Sequence, residues 1–128
     1  MSAVSPPSLW VDTDDPTPPY EQLRRQLEQA VRSGAVPAGD RLPPIRQLAR
    51  DLGLAAGTVA RTYRELEQAG LVSAARGGGT RVSADLAVSP PAHRRAELDA
   101  LTLRFVAEAR LLGADDTTVL ASLRRRLG

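Results

Sequence analysis

Apolar residues recur at helical spacing in five stretches of this 128-residue chain, and glycine or proline interrupts the pattern between them. In the first, Tyr20, Leu23, Leu27, Ala30 and Val31 share one stripe, with Arg24, Arg25, Gln26 and Glu28 largely outward. Pro18 and Pro19 suit the first turn of such a helix, where missing amide hydrogens leave nothing unpaired, so a helix is expected from about Pro18 to Arg32, closed at Ser33-Gly34. Two shorter stretches follow a turn-rich connector at 36–41. Ile45, Leu48, Ala49 and Leu52 would be buried from one, and Val59, Thr62, Tyr63 and Leu66 from the other, with a turn at Gly53 between them and a left-handed glycine, Gly70, closing the second. That spacing leaves Gly57, Ala60, Arg61 and Arg64 on or near the opposite face of the second helix.

Short apolar runs at 71–75 and 80–83 flank Arg76-Gly77-Gly78-Gly79 and predict a hairpin with a glycine-rich tip. Beyond Pro90-Pro91, a linker or helix start, Leu98, Leu101, Phe105, Ala109 and Leu112 line a helix over 94–112 stopped by Gly113. Val119, Leu120, Leu123 and Leu127 line a last one over 115–127, with acids at its start and Arg124-Arg125-Arg126 at its end, as a helix dipole favours. The expected fold is mainly α with a small β-hairpin: a winged helix-turn-helix domain followed by two C-terminal helices. Residues 1–8 are expected to be disordered, 9–83 to form the DNA-binding domain, and 84–128 to form a helical dimerisation tail. Leu9-Trp10-Val11 is expected to add a short strand, with Trp10 packed on the core.

Composition excludes several chemistries. The chain has no cysteine and one histidine, which rules out disulfides, thiolate metal sites and multi-histidine centres. His93 lies beside Arg94 and Arg95 without a nucleophile or carboxylate constellation, and is expected to be a solvated linker residue. No lysine is present for a Schiff base, and no cofactor or enzymatic activity is expected. The apolar runs fall short of a membrane span and the N-terminus lacks the features of a signal peptide, so a cytoplasmic location is expected. Net charge is +2, but residues 21–82 hold ten arginines against six acids, which concentrates a +4 excess on the helix pair and hairpin. The three glycines at 77–79 are not read as a nucleotide loop, because no helix or lysine follows them.

Pro18-Pro19-Tyr20-Glu21-Gln22-Leu23, Gly39-Asp40-Arg41-Leu42-Pro43, Arg46 to Ala49, Thr58-Val59 and Gly79-Thr80 together resemble the DNA-binding domain of GntR-type bacterial transcription regulators. The segment Thr58-Val59-Ala60-Arg61-Thr62-Tyr63-Arg64-Glu65-Leu66-Glu67, followed by a short helical tail, looks most like the YtrA-type branch. The resemblance implies a homodimeric regulator, a repressor of its own operon and of transporter genes, on double-stranded DNA with a palindromic operator. It also implies that Arg46 contacts DNA at the edge of the major groove; the alternative is a surface arginine paired with Asp51 or Glu67.

Arg61 on the exposed helix face has the geometry to read guanine O6 and N7, against a merely solvated charge. Thr58 is either a phosphate contact or a helix cap. Gly57, with Ala55 and Ala56, departs from the polar residues of many relatives but allows close backbone approach. Pro44 replaces a common serine, supplying a first-turn residue in place of a capping oxygen. Gly77 and Arg76 suit a minor groove, the alternative being a plain flexible tip, and Arg64 and Arg81 suit phosphates. Leu98, Leu101, Phe105, Leu112, Leu120 and Leu123 are the expected dimer interface, and any small-molecule effector would have to sit there. The rival readings are a non-specific architectural DNA-binding protein and a protein-interaction module built on the apolar tail.

Overall fold

The computed structural model describes residues 9–75, 77–85 and 88–128 in two compact units, one running through Ser89 and the other from Pro90 to Gly128. The expected disorder of residues 1–8 lies outside the described residues. In the first unit the order is α1 (Pro19–Ser33), α2 (Ile45–Leu52), α3 (Ala56–Gln68), β1 (Val72–Ala75) and β2 (Gly79–Val82). The second holds α4 (Pro91–Leu111) and α5 (Asp116–Leu127). The fold is mainly helical with a two-stranded antiparallel hairpin, as the periodicity predicts.

Helix α1 begins behind Pro18, with Pro19 in the first turn, and ends where Gly34 takes the left-handed conformation at φ 82°. Leu23, Leu27 and Val31 from its inner stripe are fully buried, in one core with Val59, Leu66 and Leu71. Its outer face is laced by Arg24 to Glu21 (2.7 Å) and Glu28 (2.6 Å), Arg25 to Glu21 (2.8 Å) and Arg32 to Glu28 (2.9 Å). Hydrogen bonds from Arg24 above all, and then from Arg25, hold the Glu21 carboxyl down at about 2.

Helix α2 buries Leu48 and Ala49; Ile45 and Leu52, expected inside, are only partly covered at the margin of the core. Helix α3 buries Val59, Thr62, Tyr63 and Leu66, the set predicted. Two buried hydroxyls tie it to its neighbours. Thr62 Oγ1, with no exposed surface, donates to the Tyr20 carbonyl at 3.1 Å and to the Thr58 carbonyl at 3.2 Å. Tyr63 Oη donates to the Pro43 carbonyl at 2.6 Å, and burial pushes its phenol well above the usual range.

The hairpin pairs Val72 with Val82 and Ala75 with Gly79. Its other edge is covered by the connector, which is more than a turn: Gly39 N donates to Val82 O (2.9 Å), Val82 N to Asp40 O (2.8 Å) and Leu42 N to Thr80 O (2.8 Å), with Arg41 bridged to Arg81. The expected strand at Leu9-Trp10-Val11 does not form. Instead the Gln26 carboxamide accepts from Trp10 N (3.0 Å) and donates to Trp10 O (2.8 Å), and Gln22 does the same for Asp12 at 2.9 Å on each side. Two side chains thus satisfy the backbone groups that a neighbouring strand would have met. Trp10 does not pack on the core; it is 64% exposed, while Leu9 lies partly buried against it.

Removing the Tyr63 hydroxyl leaves the buried Pro43 carbonyl without this donor. Tyr63→Phe is expected to lower unfolding stability by about 1–3 kcal/mol in urea denaturation. A midpoint equal to that of the wild type would show that the bond does not hold α2 to α3.

Candidate nucleic-acid interface

The turn at Gly53, whose φ of 69° lets α2 close in a left-handed cap, sets α2 and α3 as a helix pair. Helix α3 then starts at Ala55 with no side-chain cap. Thr58, expected as either a phosphate contact or a cap, is therefore not the cap: it is the third helical residue, and its amide donates to Ala55 O at 3.0 Å. The amides of Ala56 and Gly57 have no partner among the described residues, and the small exposed side chains at Ala55, Ala56 and Gly57 leave them open to an acceptor. Gly57 has ordinary helical geometry, and a Cβ built there meets nothing within 4 Å. The fold does not require glycine at this position.

The exposed side of α3 carries Gly57, Arg61 and Arg64, and Arg46 is exposed in the first turn of α2. Arg46 makes no ion pair among the described residues; Glu67, one expected alternative partner, instead accepts from Ala74 N at 3.2 Å. Arg61 is not a free solvated cation. Its guanidinium lies 3.6 Å from the centre of the Tyr20 ring, and its Nε donates to Glu65 at 3.3 Å. Tyr20, read from the sequence as a core residue, is only half-buried, and no signal in the chain pairs it with Arg61 across 41 positions.

At the hairpin tip Gly77 is exposed at φ 74°, a conformation that favours glycine. Arg76 lies outside the described residues. Arg81 is exposed, but its Nη1 donates to Gly39 O at 3.1 Å, so it also fastens the connector to β2. Arg41, not singled out in the sequence, lies against Gly79, where a Cβ would come within 3.1 Å of its Nη2. A cleft of about 290 Å³ between α2 and the hairpin is lined by Leu42, Pro43, Ile45 and Tyr63, with Arg41 and Thr80 at the polar side.

In the second unit Leu98, Leu101, Phe105, Leu120 and Leu123 are all exposed, as is Leu112, which stands just past the end of α4. His93, expected in a linker, is instead in the first turn of α4, 3.0 Å from Glu97. Among the described residues no group of acidic and histidine side chains is placed to hold a metal, and no helix is long and apolar enough to cross a membrane.

The family model for "Bacterial regulatory proteins, gntR family" matches residues 19–82, half of the chain and the whole of the helix pair and hairpin. The chain belongs to the GntR family. It is 51% identical over 75 residues to the HTH-type transcriptional regulator Rv1152 of Mycobacterium tuberculosis, and 37% identical over 75 residues to the HTH-type transcriptional repressor YtrA of Bacillus subtilis. Each match takes in 59% of this chain and 62% or 58% of the relative, so the chain spans about three fifths of the length of these curated relatives. The structure of YtrA from Sulfolobus acidocaldarius superposes with a TM-score of 0.55 at 28% identity, over 77% of this chain and 97% of that one. These likenesses support the YtrA-type branch. The AraR DNA-binding domain in complex with its operator ORX1 shares the fold, at TM-score 0.54 and 24% identity over 59% of this chain and 96% of that one. GntR-family members are DNA-binding transcription regulators, a non-enzymatic family.

If the open start of α3 meets DNA, Gly57→Ala separates fold from binding. The substitution is expected to raise the unfolding midpoint, since alanine favours a helix over glycine by up to about 1 kcal/mol. It is expected to weaken duplex binding in fluorescence anisotropy. Undiminished affinity would place this end of α3 away from the duplex.

Proposed function

We propose that this chain is a homodimeric, sequence-specific transcription repressor whose two winged helices occupy adjacent half-sites of a palindromic operator. The observation that carries the reading is the face of α3: four inward residues fix the helix to the core, while Gly57, Arg61 and Arg64 stand outward and Arg46 is exposed in the first turn of α2. That face suits a major groove, with Arg46, Arg61 and Arg64 supplying charge and hydrogen-bond donors, and Thr58 near the phosphate edge. Gly77, Arg76 and Arg81 of the hairpin suit the adjoining minor groove and backbone. The small side chains at Ala55 to Gly57 favour methyl contacts and close backbone approach over polar base reading at those positions.

Dimerisation falls to the tail, through Leu98, Leu101, Phe105, Leu112, Leu120 and Leu123. Exposure of apolar residues along both α4 and α5 supports a second copy as what covers them. The repressor role rests on likeness to the Bacillus protein of that description, and the chain's own operon and transporter genes are the targets that the YtrA-type branch suggests. Action on DNA places the protein in the cytoplasm.

Selection of bound sequences from a random duplex pool at near-physiological salt tests the reading. A two-fold symmetric motif is the expected result, with Arg46→Ala weakening binding to it by on the order of 1–3 kcal/mol. Enrichment without a motif would replace the operator reading with non-specific architectural binding. Phe105→Glu is expected to shift the protein from dimer toward monomer in sedimentation equilibrium, and an unchanged mass would remove the tail as the interface.

A further inference from the structure

Arginine 61 reaches the surface already engaged on two sides. The Tyr20 ring lies 3.6 Å from its guanidinium, and the Glu65 carboxylate, one turn along α3, takes its Nε at 3.3 Å. A guanidinium has five N–H donors, so with Nε committed the four Nη hydrogens remain, and these have no partner among the described residues. Tyr20 is itself fixed. Pro18 and Pro19 set its approach, and Thr62, the residue next to Arg61, holds its carbonyl through a fully buried hydroxyl at 3.1 Å. The Tyr20 phenol makes no hydrogen bond among the described residues, so the ring face, not the hydroxyl, is what Arg61 uses.

We propose that Tyr20 of α1 positions Arg61 of α3 for its DNA contact, holding the guanidinium over the ring with Nε turned to Glu65 so that the Nη groups meet an acceptor on the duplex. The proposal rests on the DNA-binding reading above and assigns α1 a part in it. A free arginine side chain would have to be ordered on binding; here the stack and the ion pair order it beforehand. The acceptor is either a guanine edge or a phosphate oxygen, both of which take N–H donors in this manner.

A double-mutant cycle on the full chain tests it, with affinities measured on the duplex that the wild type selects. Arg61→Ala is expected to weaken binding by about 5- to 150-fold. Tyr20→Leu, which keeps apolar bulk without a ring, is expected to weaken it by roughly two- to fivefold. The Arg61→Ala, Tyr20→Leu double variant is expected to bind no more weakly than Arg61→Ala alone, and Tyr20→Phe to restore the wild-type value. In the free protein, the Arg61 Hδ resonances are expected to lie upfield from the ring current and to lose that shift in Tyr20→Leu. Independent, multiplying losses, or a Tyr20→Leu variant that binds like the wild type, would overturn the proposal, because a ring that merely supports the fold acts equally with or without Arg61.

Loss of coupling at one base pair of the site identifies a guanine edge. Equal coupling on every duplex, with the salt dependence of binding reduced by about one charge in Arg61→Ala, identifies a phosphate. If the wild type binds duplexes without a preferred sequence, the operator reading fails while the cycle is read by the same criterion on a random duplex. A wild type that binds no duplex overturns both.

Discussion

Two buried hydroxyls set where helix α3 stands. Thr62 reaches back to the Tyr20 carbonyl at the start of α1, and Tyr63 reaches across to the residues that precede α2, ending on the Pro43 carbonyl, which lies outside any helix or strand. Apolar burial alone would let α3 rotate or slide by a fraction of a turn against Leu23 and Leu27, since hydrophobic contact is not directional. A hydroxyl-to-carbonyl bond inside a core opposes such freedom, because a displaced Tyr63 leaves its own hydroxyl and the Pro43 carbonyl unpaired. The outward face of α3 is therefore placed from within: adjacent residues 62 and 63 lock the helix, and residues 61 and 64, one step on either side, take their positions from that lock.

The same fixing explains how the connector and hairpin come to lie beside α2. Pro43 follows directly on Leu42, whose amide is bonded to Thr80 of β2, so the Tyr63 hydroxyl joins α3 to a segment that is also the third element of the small sheet. Arg81 repeats the tie from the other side by donating to Gly39. Backbone hydrogen bonds thus join hairpin and connector, and a side-chain hydroxyl joins the connector to the helix pair within a few residues of them. Arginines near the hairpin serve two purposes as a result: Arg41 and Arg81 contribute positive charge to the surface and also make up part of the strand pairing.

The chain displays its first three helices openly because each buries one stripe, and Val59, Thr62, Tyr63 and Leu66 could be read straight from a 3.6-residue period. The hairpin was equally legible from its glycine-rich tip. What the pattern concealed had no periodic signal. Residues 39–42 pair with β2 although proline and glycine in their neighbourhood mark a turn, since edge pairing uses backbone groups that every sequence carries. Leu9-Trp10-Val11 has the composition of a strand, but its backbone is met by the carboxamides of Gln22 and Gln26, which the helical pattern marks only as outward polar residues. At the candidate site the exposed arginines were legible by spacing, whereas the seat of Arg61 on Tyr20 was not, because that contact is created by the crossing of α1 and α3 and by no local feature of either.

The second unit obeys a different constraint. Neither α4 nor α5 has a buried residue, although leucine and phenylalanine recur along both, and the Asp115 side chain caps α5 by accepting from Thr118 N at 2.8 Å. Capping and a favourable charge order define where α5 begins and ends, but they do not supply the burial from which helices draw most of their stability in proteins. On the proposed reading a second copy supplies that burial. Folding of the tail and association of the chains are then a single equilibrium, and the stability of the tail depends on protein concentration. The winged-helix unit has its own core and does not share this dependence. DNA reading and dimer formation would in that case be carried by structures of unlike origin, one held by internal packing and buried hydroxyls, the other by contact between chains, so that occupancy of a paired half-site would fall more steeply than in proportion as the protein is diluted.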